Sequence, residues 1–207
     1  MKTTTSSRKF FHRALATALA IVITCGLSLR TAQGGYIVTL DQVGSDVVAT
    51  GSGAIDLAGL TFRFHAIAGG PPEIAPFDAM ITFAQHLANV DVYRGFTGPT
   101  TFGLGHGVVA NTFTGDPVAI SGEPFFGGIV VPLGYVSGTP LSDSMTFNNA
   151  TIASLGARPG IYEWTWGTRP NQNFTLQIGT APDSGSTVGL LLLGLAALLG
   201  ASRLRLA

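Results

Sequence analysis

Through the middle of the chain, apolar and polar residues alternate with a period of two, and turn-forming residues interrupt the alternation at short intervals. This pattern predicts β-strands with one buried face and one solvent face. In residues 60–65, Leu60, Phe62 and Phe64 fall on one face of the predicted strand, and Thr61, Arg63 and His65 on the other. Weaker forms of the signal predict strands over 36–40, 47–57, 79–83, 88–93, 107–114, 118–121, 128–131, 145–147, 160–167 and 173–178.

The segments between these strands are rich in glycine and proline. Residues 69–78 and 94–105 are the longest stretches without a strand signal, and we expect both to be surface loops. No window of the middle region carries the apolar stripe of an amphipathic helix. Many short strands with Gly-rich turns are typical of sandwiches, jelly rolls and barrels. The sequence therefore predicts an all-β, antiparallel β-sandwich or jelly-roll-like domain over residues 35–180, flanked by one terminal helix on each side.

The first 34 residues have the order of a secretory signal, and we expect its apolar part to be a signal helix. Basic residues precede an uncharged apolar stretch, and Ala32 and Gly34 supply the small residues of a cleavage site before Gly35. Because the basic end stays in the cytoplasm, the rest of the chain is expected to be exported. Two alternatives stay open, an uncleaved anchor helix and a lipoprotein modified at Cys25, although Thr24 is not the small residue expected before a lipidated cysteine.

Residues 181–207 form a second terminal signal. A polar segment at 181–187 precedes a predicted transmembrane helix at 188–202 and a basic end at 203–207. The uninterrupted apolar run, 188–201, is about 21 Å long as a helix, short of a hydrocarbon core of roughly 30 Å. A short helix suits a tail that stays in the membrane only until it is processed. The residues expected to carry the signal are Pro182, Asp183, Ser184, Gly185, Ser186, Thr187, Arg203 and Arg205.

This Pro-Asp-Ser-Gly-Ser-Thr motif, the single apolar helix and the terminal arginines resemble the PEP-CTERM class of bacterial sorting tails. The likeness is greatest to the variant with a Val-Pro-Asp-Ser-Gly signature, from which the chain departs at Ala181. The middle, including residues 41–53 and 92–99, is similar to uncharacterised proteins of that class. The resemblance implies an exosortase-like processing enzyme, an inner-membrane intermediate and delivery to the envelope or extracellular matrix of a Gram-negative-type bacterium. It implies no activity for the middle domain.

Charge is segregated along the chain. Residues 35–180 hold four arginines, no lysine and ten acidic residues, whereas the other basic residues lie near the two ends. An acidic, lysine-free domain lacks the basic patch that neutralises phosphates, which excludes nucleic acid as an expected partner. The single cysteine, Cys25, lies in the signal segment, so the remaining chain can form no disulfide and no cysteine-based site.

Three aromatic side chains are the strongest candidates for ligand contact. Tyr162, Trp164 and Trp166 fall on one face of a predicted strand, where a flat aromatic row can stack on the sugar rings of an extracellular polysaccharide. The alternative is that the tryptophans pack in the sandwich core, where aromatic side chains bury large areas. The two interpretations differ in whether the rings are exposed to solvent.

Other chemistry has weaker support. The histidines of the middle region lack metal-ligand spacing, and acidic residues could form a glycosidase pair only if the fold brought two carboxylates to a suitable separation. No nucleophile elbow, P-loop or HExxH motif occurs, so we expect no catalytic residue, cofactor or metal. The residues in question are His65, His86, His106, Glu73, Glu123, Glu163, Asp91 and Asp116.

Three hypotheses about function follow from these observations. The leading one is a non-catalytic, biofilm-associated envelope or matrix protein that is sorted by its tail. The second is a secreted carbohydrate-binding or carbohydrate-active jelly-roll protein. The third is a protein tethered permanently to the membrane by an unprocessed tail.

Overall fold

A computed structural model describes residues 35–122 and 127–179. The chain divides after Gly34 into two units, and the description concerns the second. The predicted signal segment 1–34 and sorting tail 181–207 lie outside the described residues, as do both predicted terminal helices. Among the residues that are described, no helix is long and apolar enough to cross a bilayer.

The described residues form short strands and one 3-10 helix at Pro76–Asp78, joined by turns and loops. The strands are β1 (Tyr36–Val43), β2 (Asp46–Ala54), β3 (Thr61–Ile67), β4 (Glu73–Ala75), β5 (Met80–Thr82), β6 (Asn89–Arg94), β7 (Val108–Val109), β8 (Thr112–Gly115), β9 (Ala119–Ser121), β10 (Gly128–Pro132), β11 (Pro140–Phe147), β12 (Gly160–Thr165) and β13 (Asn173–Ile178).

The strands form two sheets. The first has the order β12-β13-β1-β2-β11-β8 and the second the order β3-β6-β10-β9-β5-β4-β7. Strand pairs are antiparallel with one described exception, β1 and β13, which run parallel with Tyr36 beside Phe174 and Leu40 beside Ile178. The first and last described strands are therefore neighbours in the middle of one sheet.

Both sheets contribute side chains to one apolar core, which is the arrangement of a β-sandwich. Alternate residues of β1 and of β11 are buried, because successive side chains of a strand lie on opposite faces. Burial of each large apolar side chain contributes about 1.5–3 kcal/mol. The prediction of an all-β, antiparallel-rich sandwich is confirmed. Fully buried members of the core include Val38, Leu40, Ile74, Ile81, Ile120, Ile129, Val131, Phe147, Trp164, Phe174 and Leu176.

The predicted facing of β3 is wrong, because the register against β6 shifts between Phe62 and Phe64. Phe62 pairs with Tyr93, whereas Phe64 pairs with Val92, so the two phenylalanines point to opposite faces. A bulge adds one residue to one strand and reverses the alternation beyond it. As a result, Phe62 and His65 share a face and their rings lie 4.9 Å apart.

The expected surface loops contain buried structure. Residues 69–78 include β4 and the 3-10 helix, and Ile74 is fully buried. In residues 94–105, Phe102 is only 1% exposed. Both stretches were predicted to be loops because glycine and proline dominate them, and their short apolar elements give too little periodicity to detect.

Candidate functional site

The aromatic row predicted on β12 lies mainly in the core. Trp164 is fully buried, and its indole nitrogen donates to the Pro99 carbonyl at 2.8 Å. Trp166 is 4% exposed and donates to the Asp56 carbonyl at 2.7 Å. Tyr162 is half-buried. Of the two interpretations, core packing describes the two indoles, whose faces are not open for stacking on a sugar.

Asp91 of β6 is a buried carboxylate that bonds to His65 of β3 and to the turn after β10. Asp91 is 4% exposed and accepts hydrogen bonds from the backbone N–H of Gly134 at 3.0 Å and from Nδ1 of His65 at 2.5 Å. The His65 side chain is 68% exposed. The pair orients the imidazole, and the bulge in β3 is what places His65 on the face of Asp91.

Two of the other candidate acids bond to different parts of the described chain. Asp116 accepts from the backbone N–H of Ser142 at 2.8 Å, and Glu163 accepts from the Asn173 amide at 2.7 Å. Asp116 therefore bonds to the backbone of β11, and Glu163 bonds to a side chain of β13. Glu73 lies at the edge of a groove described below, and Glu123 lies outside the described residues.

The remaining candidate metal ligands are also dispersed. His86 Nδ1 lies 3.2 Å from the Gly69 carbonyl oxygen, and the His106 ring lies 5.3 Å from that of Phe77. Within 35–122 and 127–179, no group of three or more histidine, cysteine and acidic residues could hold a metal ion.

A titratable pair that sequence reasoning missed lies in the core between the sheets. Tyr36 donates its hydroxyl hydrogen to Asp143, and both side chains are almost completely buried. Burial raises the pKa of Asp143 to about 7, the hydrogen bond from Tyr36 opposes the rise, and the charge of Asp116 adds to it. Burial likewise raises the pKa of Tyr36. The missed signal was a polar residue at an inward position of β11, between Leu141 and Met145.

An apolar groove of about 380 Å³ crosses the outer face of the second sheet. Its floor is a row of cross-strand neighbours that runs over six strands. The row is apolar at the β3 end and polar at the β4 end, and no histidine or basic residue lines the groove. In order across the sheet, the row contains Phe64, Val92, Val130, Ala119, Thr82 and Glu73.

Comparison with protein-family models gives a match near the C-terminal end of the chain. The family model of the VPDSG-CTERM motif matches residues 182–205. This motif is a C-terminal sorting signal that an exosortase-like enzyme recognises, and the match supports a PEP-CTERM-like tail. No curated protein and no solved structure matches the chain. The match begins four residues beyond Ile178, where the last described strand ends.

Proposed function

We propose that the chain is the precursor of an exported, non-catalytic protein that an exosortase-like enzyme delivers to the cell envelope or extracellular matrix. The signal segment directs export, residues 35–180 fold outside the cytoplasm, and the tail carries the sorting signal. The observation that carries the proposal is the sorting motif at residues 182–205, directly behind a folded β-sandwich.

The short distance in sequence between the domain and the motif supports this arrangement of the precursor. Gly179, Thr180 and Ala181 alone separate the end of β13 from Pro182. The motif therefore begins close in sequence to the sandwich, and a product cut within the motif retains all of β13.

The hydrogen bonds of the candidate acids support the proposal that the protein is non-catalytic. Asp91 and Asp116 accept hydrogen bonds from backbone N–H groups, and Glu163 holds the Asn173 amide. These contacts stabilise turns and strand ends. The carbohydrate-binding hypothesis depended on exposed indoles, and Trp164 and Trp166 are buried. We therefore favour an adhesive role on the surface or in a biofilm for the sandwich.

The experiment is intact-mass measurement of the protein from membrane, envelope and extracellular fractions of its own host. The wild type is expected to yield an envelope or extracellular species that starts near Gly35 and ends within 181–187. A Pro182→Ala/Asp183→Ala double variant should accumulate in the membrane and keep Arg205. The matched control, Leu191→Ile, changes the apolar run conservatively and should be processed like the wild type.

Two outcomes would overturn the proposal. A wild-type protein that retains Arg205 in every fraction would make the tail a permanent anchor. A host genome without an exosortase-like membrane protein would remove the processing enzyme on which sorting depends.

A further inference from the structure

Gly35 is held by a side chain at the start of the described domain. It is buried, and its backbone nitrogen lies 2.7 Å from Oδ1 of Asn173, which is 138 residues away in the sequence. The site accepts only glycine, because a Cβ at residue 35 would lie 2.0 Å from the Asn173 backbone oxygen and 2.2 Å from its Oδ1. The strand ladder of β1 starts one residue later, at Tyr36.

A second contact fixes the orientation of the Asn173 amide. Its Nδ2 donates to Oε1 of Glu163 at 2.7 Å, so the carbonyl end of the amide points to the Gly35 nitrogen. An asparagine that was free to turn could present either end. Glu163 also places a negative charge behind the amide, which favours a positively charged donor at Gly35.

We propose that Gly35 is the first residue of the mature protein, and that Asn173, oriented by Glu163, is the binding site for its α-ammonium group. Water hydrolyses the Gly34–Gly35 peptide bond during export, leaving a carboxylate on Gly34 and an ammonium on Gly35. The ammonium donates one hydrogen to Asn173 Oδ1. This inference rests on the proposed export, and it adds that the new end becomes part of the fold.

The chain offers a specific test, because its only lysines are Lys2 and Lys9, which the cleavage removes. The α-amine of Gly35 is then the only primary amine of the mature protein. The experiment is acylation of protein isolated from the host envelope with a limiting amine-reactive ester, followed by intact mass. We expect the folded protein to acquire its single label about tenfold or more slowly than protein unfolded in urea.

Two variants and a control test whether the slow labelling depends on Asn173 and Glu163 or on the packing of the domain as a whole. Asn173→Ala should raise the folded-state labelling rate towards the unfolded rate. Glu163→Ala changes an exposed side chain and should raise the rate by a smaller factor, so it keeps the test valid if Asn173→Ala does not fold. Asn171→Ala, in the exposed turn before β13, should label like the wild type.

The outcomes distinguish this inference from the proposed function. A mature mass that starts at another residue, or a folded protein that labels as fast as the unfolded one, would overturn the inference and leave export intact. A chain that keeps Met1, Lys2 and Lys9, and so takes up three labels, would show that export processing itself fails.

Discussion

Tyr36 and Asp143 join β1 to β11 through a hydrogen bond inside the core, although β2 lies between these strands in the sheet. Both side chains point inward over Gly51 of β2. A buried carboxyl group is costly when it is charged, since its two oxygens have lost most of their water. Protonation removes that cost, so the stability of the sandwich is linked to pH.

We predict that the contribution of Asp143 to the free energy of unfolding falls as pH rises from 3.8 to about 7. The pKa of Asp143 rises from an ordinary value of 3.8 to about 7 in the folded protein. The stabilisation is therefore fully present below pH 3.8 and is lost as pH rises through about 7. The slope should approach about 1.4 kcal/mol per pH unit between these values.

Urea unfolding across this pH range checks the prediction when wild type is compared with Asp143→Asn. The variant keeps an acceptor for Tyr36 and should lose this component of the slope. Asp116→Asn should reduce the rise in the pKa of Asp143, because the charge of Asp116 contributes to it. Identical pH profiles for wild type and Asp143→Asn would contradict the assignment.

Gly51 should be intolerant of any side chain. A Cβ at this position would lie 2.1 Å from Asp143 Oδ1 and 2.2 Å from the Tyr36 hydroxyl. We expect Gly51→Ala to destabilise the domain by about 3 kcal/mol or more, in the range of overpacked cores. Gly69→Ala is the control, since nothing lies within 4 Å of a Cβ there. Equal melting temperatures for the two variants would refute the packing described around Tyr36.

The two tryptophans should behave as core residues in solution. We expect acrylamide to quench their fluorescence weakly until the protein unfolds. Trp164→Phe should cost about 2–4 kcal/mol, because it leaves a cavity and an unpaired Pro99 carbonyl. Tyr162→Phe, which loses one exposed hydrogen bond to the Arg158 carbonyl, should cost less than about 1 kcal/mol. Strong quenching in the folded state would contradict the burial of the two indoles and favour the alternative of an exposed aromatic row.

Asp91 and His65 should differ in their contributions to stability. We expect Asp91→Ala to cost about 2–3 kcal/mol, because it leaves the backbone N–H of Gly134 without its acceptor. His65→Ala should cost about 1 kcal/mol or less, since most of the imidazole is in water. Denaturant unfolding of both variants measures the difference, and a larger cost for His65→Ala would reverse the roles assigned here.

The sequence predicted the strands best where one face meets the core. Alternation of apolar and polar residues over Tyr36–Leu40 and Asn173–Ile178 predicted both strands, and the apolar residues at alternate positions are buried in each. The sequence predicted strand bounds and facing less well where a bulge or a change of sheet interrupts a strand. The bulge in β3 leaves no mark in the pattern, and residues 107–114 divide into β7 and β8, which belong to different sheets.

The candidate contacts were harder to predict because they depend on distant partners. The pattern at Tyr162–Trp166 indicated a shared face, but both core and surface rows have that spacing. Asp143 occupies an inward position among apolar residues, which is a readable signal of a buried polar group. Its partner Tyr36 lies 107 residues earlier, and a single sequence gives no information on that pairing.

The parallel pairing of β1 with β13 has a mechanical consequence. Gly35 precedes β1 beside Asn173, and Gly179 follows β13, with its N–H bonded to the Leu40 carbonyl. The two ends of the domain therefore leave the sheet at opposite ends of adjacent strands. A pull applied between them acts along the strands and shears all the hydrogen bonds between β1 and β13 at once, instead of opening them one after another. Hydrogen bonds loaded together resist more force than bonds loaded singly, so this pairing is expected to oppose extension of the domain between Gly35 and Gly179.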